Sequence, residues 1–352
     1  MYALTVLPGR PGSLEVRELP EPRPGPGGLL VDGLAVGVCG TDREIAAGQY
    51  GTAPAGRDRL VIGHESLGRV REAPPGSGFS AGDLVVGVVR RPDPVPCGAC
   101  ERGEFDMCRN GRYAERGIKE LDGYAAQTWC VEPDYAVALD PALEDVGMLL
   151  EPASVVAKAW EQVERVGGRS WFAPRRVLVT GAGPIGLLAA LLGTQRGLET
   201  HVLDRVTGGP KPALVAGLGA EYHTEDPDRV FSAVRPDVVI EATGAGKLVF
   251  AAMAGTPAYG VVCLTGVSPA GRRLTVDAGS INQEIVLEND AVIGSVNANL
   301  RHFVQAADAL GKADPRWLAG LVTRRVPLDR FHEAFSPQDG DVKTVITLDG
   351  PG

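Results

Sequence analysis

A strand, turn and helix unit near the middle of the chain constrains the fold most. The apolar run at 176–180 leads directly into Gly181-Ala-Gly183-Pro-Ile-Gly186, and an apolar helical pattern follows over 187–192. Glycines at this spacing allow a tight turn, let a backbone approach a pyrophosphate, and let the helix pack on the strand. The unpaired N–H groups at the start of such a helix attract phosphate. We therefore predict a dinucleotide site that includes Gly181, Gly183, Pro184, Ile185 and Gly186.

Strand and helix patterns alternate through the middle of the chain. Apolar runs at 200–204, 237–241 and 260–265 are separated by helical segments, which is typical of a doubly wound parallel sheet buried on both faces. Residues 1–150 instead contain short β runs split by Gly and Pro clusters, a pattern typical of a barrel or sandwich. A helix at 300–310 and a strand at 344–348 follow. We predict an α/β chain with a β-rich domain, residues 1–155 and 297–352, and a dinucleotide-binding domain, residues 156–296.

The acid at the end of the second strand of this sheet bears on the choice of dinucleotide. Asp204 lies 18 residues beyond Gly186, where a carboxylate can hold the adenosine ribose hydroxyls and repel a 2′-phosphate. This favours NAD. The adjacent Arg205 would instead embrace a 2′-phosphate, so NADP remains the alternative. The predicted cofactor-binding set also includes Thr243, Thr265, Gly266, Val267 and Asn297.

Two short stretches of the β-rich half, 37–42 and 63–68, carry Cys39 and His64, and Glu151 follows much later. Cys, His and Glu are the side chains that a catalytic Zn²⁺ uses when it keeps a fourth position open. Each of these residues has an ordinary structural role when taken alone, but together they favour a metal site. We expect Glu65 to contact the metal ligands rather than the metal, or to bind the metal itself only some of the time. The Thr41 hydroxyl is placed to pass a proton from a substrate alcohol.

These motifs, with Gly82-Asp-Leu-Val, resemble the zinc-dependent medium-chain dehydrogenase/reductase superfamily along the whole chain. The resemblance implies a GroES-like catalytic domain built from both ends of the sequence, with a Rossmann domain between. Stretches that are more specific resemble the prokaryotic, archaeal-type glucose 1-dehydrogenases, namely 40–45, 89–92, 106–108, 113–118, 121–124, 149–152 and 294–303.

That resemblance implies an oxidoreductase that oxidises an aldose such as D-glucose at C1 to the aldonolactone, with NAD or NADP as hydride acceptor. It places Glu115, Glu151 and Asn297 at positions that hydrogen-bond sugar hydroxyls or neighbour the metal and the nicotinamide, and Thr41 joins them as a predicted substrate contact. The alternative for Glu115 is a surface loop acid, and for Asn297 a turn asparagine. A polyol, cyclitol or aminosugar dehydrogenase is the alternative function, and a non-catalytic NAD(P)-binding protein is a third. The family also implies a homodimer or homotetramer, with residues 291–296 as a candidate pairing edge.

A second cysteine cluster resembles the structural-zinc lobe of the superfamily. That lobe uses four cysteines, but here Pro94 stands at the first position, before Cys97, Cys100 and Cys108. Asp93 is one residue away and is the candidate fourth ligand, since carboxylates also bind zinc. A lobe with free thiols, held by packing, is the alternative.

The net charge and the hydropathy of the chain argue against nucleic acid and membrane as partners. The net charge is −9, so the basic footprint expected of a nucleic-acid-binding protein is missing. No apolar run reaches the length of a membrane span, and the sequence starts without the pattern of a secretory signal. We expect a cytoplasmic enzyme whose six cysteines form no disulfides.

Overall fold

The structure is a computed structural model that describes residues 1–269, 271 and 273–348. It divides into two compact units, Met1–Ser154 with Ala298–Gly352 and Val155–Asn297, called here the first and the second unit. Residues 349–352, which the sequence assigns to the β-rich domain, lie outside the described residues. At 352 residues the chain is long enough for two hydrophobic cores.

Short strands dominate the amino-terminal part of the first unit, because Gly and Pro clusters interrupt its β-branched runs. The strands are β1 (Tyr2–Val6), β2 (Glu15–Glu18), β3 (Leu29–Val38), β4 (Leu60–Val61), β5 (Glu65–Glu72), β6 (Leu84–Gly87), β7 (Arg90–Arg91), β8 (Ala114–Arg116), β9 (Glu120–Leu121), β10 (Thr128–Val131) and β11 (Ala136–Ala138). Helix α1 (Gly40–Ala46) follows β3 directly. The order β2-β1-β4 forms one sheet and β7-β8-β9 another.

The second unit is a six-stranded parallel sheet with helices between its strands. Its elements are α2 (Leu150–Gly167, beginning in the first unit), β12 (Arg176–Thr180), α3 (Pro184–Gln195), β13 (Glu199–Leu203), α4 (Pro210–Gly217), β14 (Glu221–His223), α5 (Pro227–Val234), β15 (Val238–Glu241), α6 (Gly246–Gly255), β16 (Val261–Leu264), α7 (Ala278–Glu288) and β17 (Ala291–Gly294). The strand order is β14-β13-β12-β15-β16-β17. The direction of winding reverses between β12 and β15, where such sheets bind ligands.

The chain then returns to the first unit. The remaining elements are α8 (Leu300–Gly311), α9 (Pro315–Leu321), β18 (Val322–Pro327), α10 (His332–Phe335) and β19 (Lys343–Thr347). Strand β19 lies between β3 and β18, antiparallel to the former and parallel to the latter. The largest sheet of the first unit therefore has the order β11-β6-β5-β3-β19-β18, with β10 also paired to β3.

The predicted fold class is confirmed, a GroES-like β-rich part with a doubly wound α/β part. Helix α4 begins at Pro210, because proline fits the first turn of a helix. Strand β14 was not predicted, since three mostly polar residues give no apolar alternation to detect. Among the described residues, no helix combines the length and apolar character that a membrane span needs.

Candidate metal centre and dinucleotide site

Cys39 is fixed at the junction of β3 and α1. Its backbone is extended, and its N–H donates to Asp42 Oδ2 at 2.9 Å in a capping box at the helix start. The thiol lies against the next motif, with Cys39 Sγ 3.0 Å from His64 Nε2. The sequence Cys39-Gly-Thr-Asp42 thus caps a helix and places the candidate sulfur ligand with the same four residues.

His64 is buried and held from both sides of its ring. The preceding Gly63 has a φ of +87°, and a Cβ there would lie 2.9 Å from Ala125 Cβ, so this turn requires glycine. His64 Nδ1 lies 3.4 Å from Asp42 Oδ1, and Asp42 is buried. A carboxylate behind one ring nitrogen is the arrangement that orients a metal-binding histidine, because it fixes the tautomer.

The charges around His64 favour a cation. Burial lowers the pKa of the His64 ring, but the Cys39 sulfur and the Asp42 carboxylate outweigh it and raise the pKa well above its usual range. The site therefore attracts a proton strongly when no metal is bound, and a divalent cation satisfies the same negative groups. Among the described residues, neither His64 Nδ1 nor Asp42 Oδ1 has a hydrogen-bond partner within normal geometry.

Glu65 forms a buried ion pair with Lys343. Lys343 Nζ donates to Glu65 Oε1 at 2.6 Å and to Oε2 at 2.7 Å, and both side chains are buried. Gly37 lies opposite Glu65 in the β3–β5 register, and a Cβ on Gly37 would lie 1.9 Å from Glu65 Oε2. Gly37 therefore provides the space for this carboxylate. Burial alone would lower the pKa of Lys343, but Glu65 reverses the shift and raises it.

Glu151 is in the first turn of α2 and half-buried. Loss of solvation raises the pKa of its carboxyl to about 7, while the positive charge of His64 opposes this rise and Glu65 adds to it. Ligand atoms of Cys39, His64 and Glu65 all lie within 4.8 Å of one another, and Glu151 is outside that group. The half-buried Thr41 lies in the first turn of α1. A sulfur and a nitrogen thus converge beside carboxylates, the donor types that a zinc site with an open position uses.

The two predicted sugar contacts have different surroundings. Glu115 lies on β8 and is buried, with its Oε1 accepting from Arg90 Nη2 at 2.9 Å. The Arg90 guanidinium also stacks 3.7 Å from the centre of the Tyr113 ring. The surface-acid alternative for Glu115 is therefore wrong. Asn297, in the second unit, has a φ of +63°, a conformation that asparagine tolerates better than most residues.

The second cysteine cluster brings three sulfurs together. Ligand atoms of Cys97, Cys100 and Cys108 lie within 4.8 Å of one another. A backbone N–H from Arg109 lowers the pKa of Cys97 to about 6, as suits a thiolate ligand. Asp93 is not in this group: its Oδ1 accepts from Val95 N at 2.8 Å, and its carboxylate also lies near an arginine, Arg112. Asp93 as fourth ligand stays a prediction.

The glycine-rich turn of the second unit is shaped as its motif predicts. A Cβ on Gly186 would lie 1.7 Å from the Gly181 carbonyl oxygen, so the turn and α3 approach as closely as backbones can. Gly183 is the N-cap residue of α3 without a side-chain cap, and a Cβ there would meet nothing within 4 Å. Pro184 and Ile185 form the first helical turn. An open cavity of about 610 Å³ borders Gly181 and Gly183, as a dinucleotide would require.

Asp204 projects into the same cavity from the end of β13. Its Oδ2 accepts from Ala182 N at 2.7 Å and its Oδ1 from Val206 N at 3.0 Å. Burial raises the pKa of Asp204, but these amides and Lys211, 3.2 Å away, outweigh it and lower the pKa. The exposed Arg205 lines the cavity as well. The acid predicted to favour NAD is therefore accompanied by cations that suit a 2′-phosphate.

Glu241, which the sequence analysis did not single out, organises the loops after β15 and β16. Its carboxylate accepts from Thr243 N at 2.8 Å and from Gly244 N at 3.1 Å, and its backbone carbonyl accepts from Thr265 Oγ1 at 2.8 Å. Gly266 packs so closely that a Cβ would lie 2.1 Å from Gly244 N. Beyond it, Val267 is exposed. An acid at the end of the apolar strand 238–241 was the available sequence signal.

Both units match known families. Residues 25–141 match the alcohol dehydrogenase GroES-like domain, and residues 144–348 match the glucose dehydrogenase C-terminus. A GroES-like unit with clustered Cys, His and Glu, joined to a doubly wound sheet, defines a zinc-dependent medium-chain dehydrogenase.

Similar proteins identify the family within this class of dehydrogenases. The chain is 41% identical to the glucose 1-dehydrogenase of Methanocella arvoryzae and 42% identical to that of Thermoproteus tenax, over 99% of each chain in both cases. The solved structure of Haloferax mediterranei glucose dehydrogenase in complex with NADP, Zn and gluconolactone superposes with a TM-score of 0.91 at 34% identity, over 100% of both chains. The chain belongs to the glucose dehydrogenase family.

Proposed function

We propose that this protein oxidises an aldose such as D-glucose at C1 to the aldonolactone and transfers the hydride to a nicotinamide dinucleotide. The observation that carries the proposal is the 3.0 Å approach of Cys39 Sγ to His64 Nε2 in a chain 41% identical, over 99% of its length, to a glucose 1-dehydrogenase. The structural relative with gluconolactone, NADP and Zn supports the same reaction.

The first unit would be the catalytic domain and the second the dinucleotide-binding domain. Cys39 and His64 would hold zinc together with a carboxylate, and Glu151 is the better candidate because both oxygens of Glu65 are bonded to Lys343. Zinc supplies a Lewis acid that lowers the pKa of the substrate hydroxyl, and the dinucleotide supplies the hydride acceptor.

The remaining residues would place the sugar and move its proton. Asp42 orients the His64 ring from behind. The Thr41 hydroxyl would accept the proton that leaves the C1 hydroxyl. Glu115, held by Arg90, and Asn297 would hydrogen-bond sugar hydroxyls, which rejects analogues that leave these polar groups unpaired.

The same protein would use NADP as well as NAD. Asp204 favours NAD, because its carboxylate faces the cavity where a ribose would bind. Arg205, Lys211 and Lys247 line that cavity too, and cations of this kind attract a 2′-phosphate. We expect Asp204→Asn to raise kcat/KM for NADP relative to NAD, and a ratio unchanged by this substitution would remove Asp204 from cofactor selection.

The decisive experiment combines a metal variant with a substrate panel. Cys39→Ser or His64→Ala should lose zinc and sugar oxidation while NADPH binding, followed by fluorescence titration, persists. Cys130→Ser is the matched control, because this half-buried thiol lies on β10, outside the cluster. Full turnover in the metal-free variants would refute the scheme. Turnover of inositols but not of D-glucose, D-galactose or D-xylose would make the protein a cyclitol dehydrogenase instead.

We further propose a cytoplasmic homodimer or homotetramer. All six cysteines are unpaired, as suits a reducing compartment. Strand β17 is the terminal strand of its sheet, and its free edge could pair with a second copy. Sedimentation of the purified protein tests the assembly, and a monomer at working concentration would contradict it.

A further inference from the structure

Two histidines and a glutamate meet at an edge of the second unit's sheet, on residues that the proposed reaction does not use. His201 lies on β13, and Glu221 and His223 lie on the edge strand β14. The parallel register pairs His201 with Glu221 and Leu203 with His223. Residues two apart on a strand share a face, so the backbone directs all three side chains to the same side of the sheet.

The ligand atoms of these three residues converge. His201 Nδ1 lies 2.9 Å from His223 Nε2 and 3.5 Å from Glu221 Oε2, and His223 Nε2 lies 4.0 Å from Glu221 Oε1. All lie within 4.8 Å of one another. His201 is buried, while the Glu221 side chain is exposed, so a metal ion can reach the group from solvent.

The outer nitrogen of each ring faces another carboxylate. His201 Nε2 lies 3.3 Å from Glu199 Oε1, and His223 Nδ1 lies 3.8 Å from Glu225 Oε2. With a hydrogen on one inner nitrogen, the two rings share a hydrogen bond of 2.9 Å. With both ring hydrogens on the outer nitrogens, towards the carboxylates, the inner nitrogens present two lone pairs that one cation can bind.

The carboxylates around the two rings favour a cation at this place. Three glutamates surround two imidazoles here, and in the described part of the chain their ion pairs are with these histidines alone. The cluster therefore places two imidazole nitrogens beside three carboxylates, whose negative charge a bound cation would offset.

We propose that His201 Nδ1, His223 Nε2 and the Glu221 carboxylate bind a divalent transition-metal ion. Two imidazoles and one carboxylate suit Zn²⁺, Ni²⁺ or Cu²⁺ rather than Ca²⁺ or Mg²⁺, which prefer all-oxygen sites. Such an ion cross-links β13 to the edge strand β14. The residues that follow β14, Thr224 and Glu225, line the dinucleotide cavity, so the ion would brace one wall of it.

The test counts metal by equilibrium dialysis of the full-length protein against Zn²⁺, followed by mass spectrometry. Wild type should retain one equivalent more than His201→Gln/His223→Gln. His332→Gln is the matched control, since this exposed histidine is outside the cluster, and it should retain the wild-type amount. Equal zinc content in wild type and the double variant would overturn the proposal.

The double variant could misfold, because His201 is buried. Single variants that leave His201 intact therefore provide a second test. His223→Gln and Glu221→Gln should each weaken zinc binding at least tenfold while glucose oxidation remains at the wild-type rate. Zn²⁺ should also raise the thermal midpoint of wild type more than that of either variant. Wild-type zinc affinity in an active His223→Gln protein would also overturn the proposal, and it would leave the proposed reaction untouched.

Discussion

The ammonium group of Lys343 neutralises Glu65 directly behind the candidate zinc ligands. A buried ion pair contributes little compared with apolar packing, but removing one partner leaves a buried charge uncompensated. Without Lys343, the Glu65 carboxylate would be an unpaired buried anion next to Cys39 and His64, shielded from water.

Lys343→Met should destabilise the protein by about 3–5 kcal/mol, the usual cost of breaking a buried pair from one side. Urea unfolding of the zinc-free protein measures it. Glu65→Gln in the same chain should restore part of the loss, because the uncompensated charge is gone. Lys312→Met is the control, since the exposed Lys312–Asp308 pair is worth only about 0.3–0.5 kcal/mol. Equal losses in the two lysine variants would show that Glu65 does not need its partner.

Glu151 should make the stability of the zinc-free protein depend on pH. The pKa of its carboxyl is about 7 in the fold against 4.5 ordinarily, so between these values the folded state keeps a proton that the unfolded chain has lost. The free energy of unfolding must then fall as pH rises through this window. Other groups titrate as well, so the comparison is with Glu151→Gln, whose curve should fall less steeply. Parallel curves would mean that Glu151 ionises normally.

The candidate ligands could be predicted from the sequence because they lie in short local motifs. The residues that hold them in place could not all be predicted, because some are distant along the chain. Cys39 and His64 lie in short glycine-flanked motifs, which any reader of the sequence can find. Lys343 is 278 positions from Glu65, and only the pairing of β19 with β3 brings it there. Asp42 could have been found, because an acid three residues after an N-cap is a capping signal.

At the scale of elements, the contact between β12 and α3 depends on Gly186. Gly186→Ala would place a methyl group 1.7 Å from the Gly181 carbonyl, so the strand and helix would have to separate, at a cost of about 1–3 kcal/mol. We expect lower stability in urea and loss of NADPH binding by fluorescence titration. Gly183→Ala is the matched control, because its methyl group would meet nothing within 4 Å and stability should hold. Comparable destabilisation by both substitutions would contradict this account of the turn.

Elements with strong apolar character were predictable, and those built by pairing were not. The continuous apolar strands β12, β15 and β16 follow from their composition. The composition of Glu221-Tyr-His223 does not predict a strand. This segment is strand β14 because it pairs with the edge of β13. The histidine cluster was therefore invisible in the sequence, since His201 and His223 are brought together by that pairing.

At the scale of the whole molecule, two compact units predict unfolding that is not a single transition. Calorimetry of the zinc-loaded protein should resolve two components. A dinucleotide at about 100 times its Kd should stabilise one of them by about 2.7 kcal/mol, and Cys39→Ser should lower the other. Gly186→Ala should abolish the dinucleotide shift without abolishing the effect of Cys39→Ser. One transition that responds to both changes would mean that the units unfold together.

The position of β19 has a consequence for synthesis. Strand β3 pairs with β19 (Lys343–Thr347), which is synthesised some 300 residues later. Every strand of the second unit is translated before that neighbour exists. The nascent second unit can therefore fold while the first still lacks the strand that completes its sheet and the lysine that neutralises Glu65. Premature termination before Lys343 would release a chain with all the candidate zinc-ligand residues but an open sheet edge, a form exposed to aggregation and to cellular proteases.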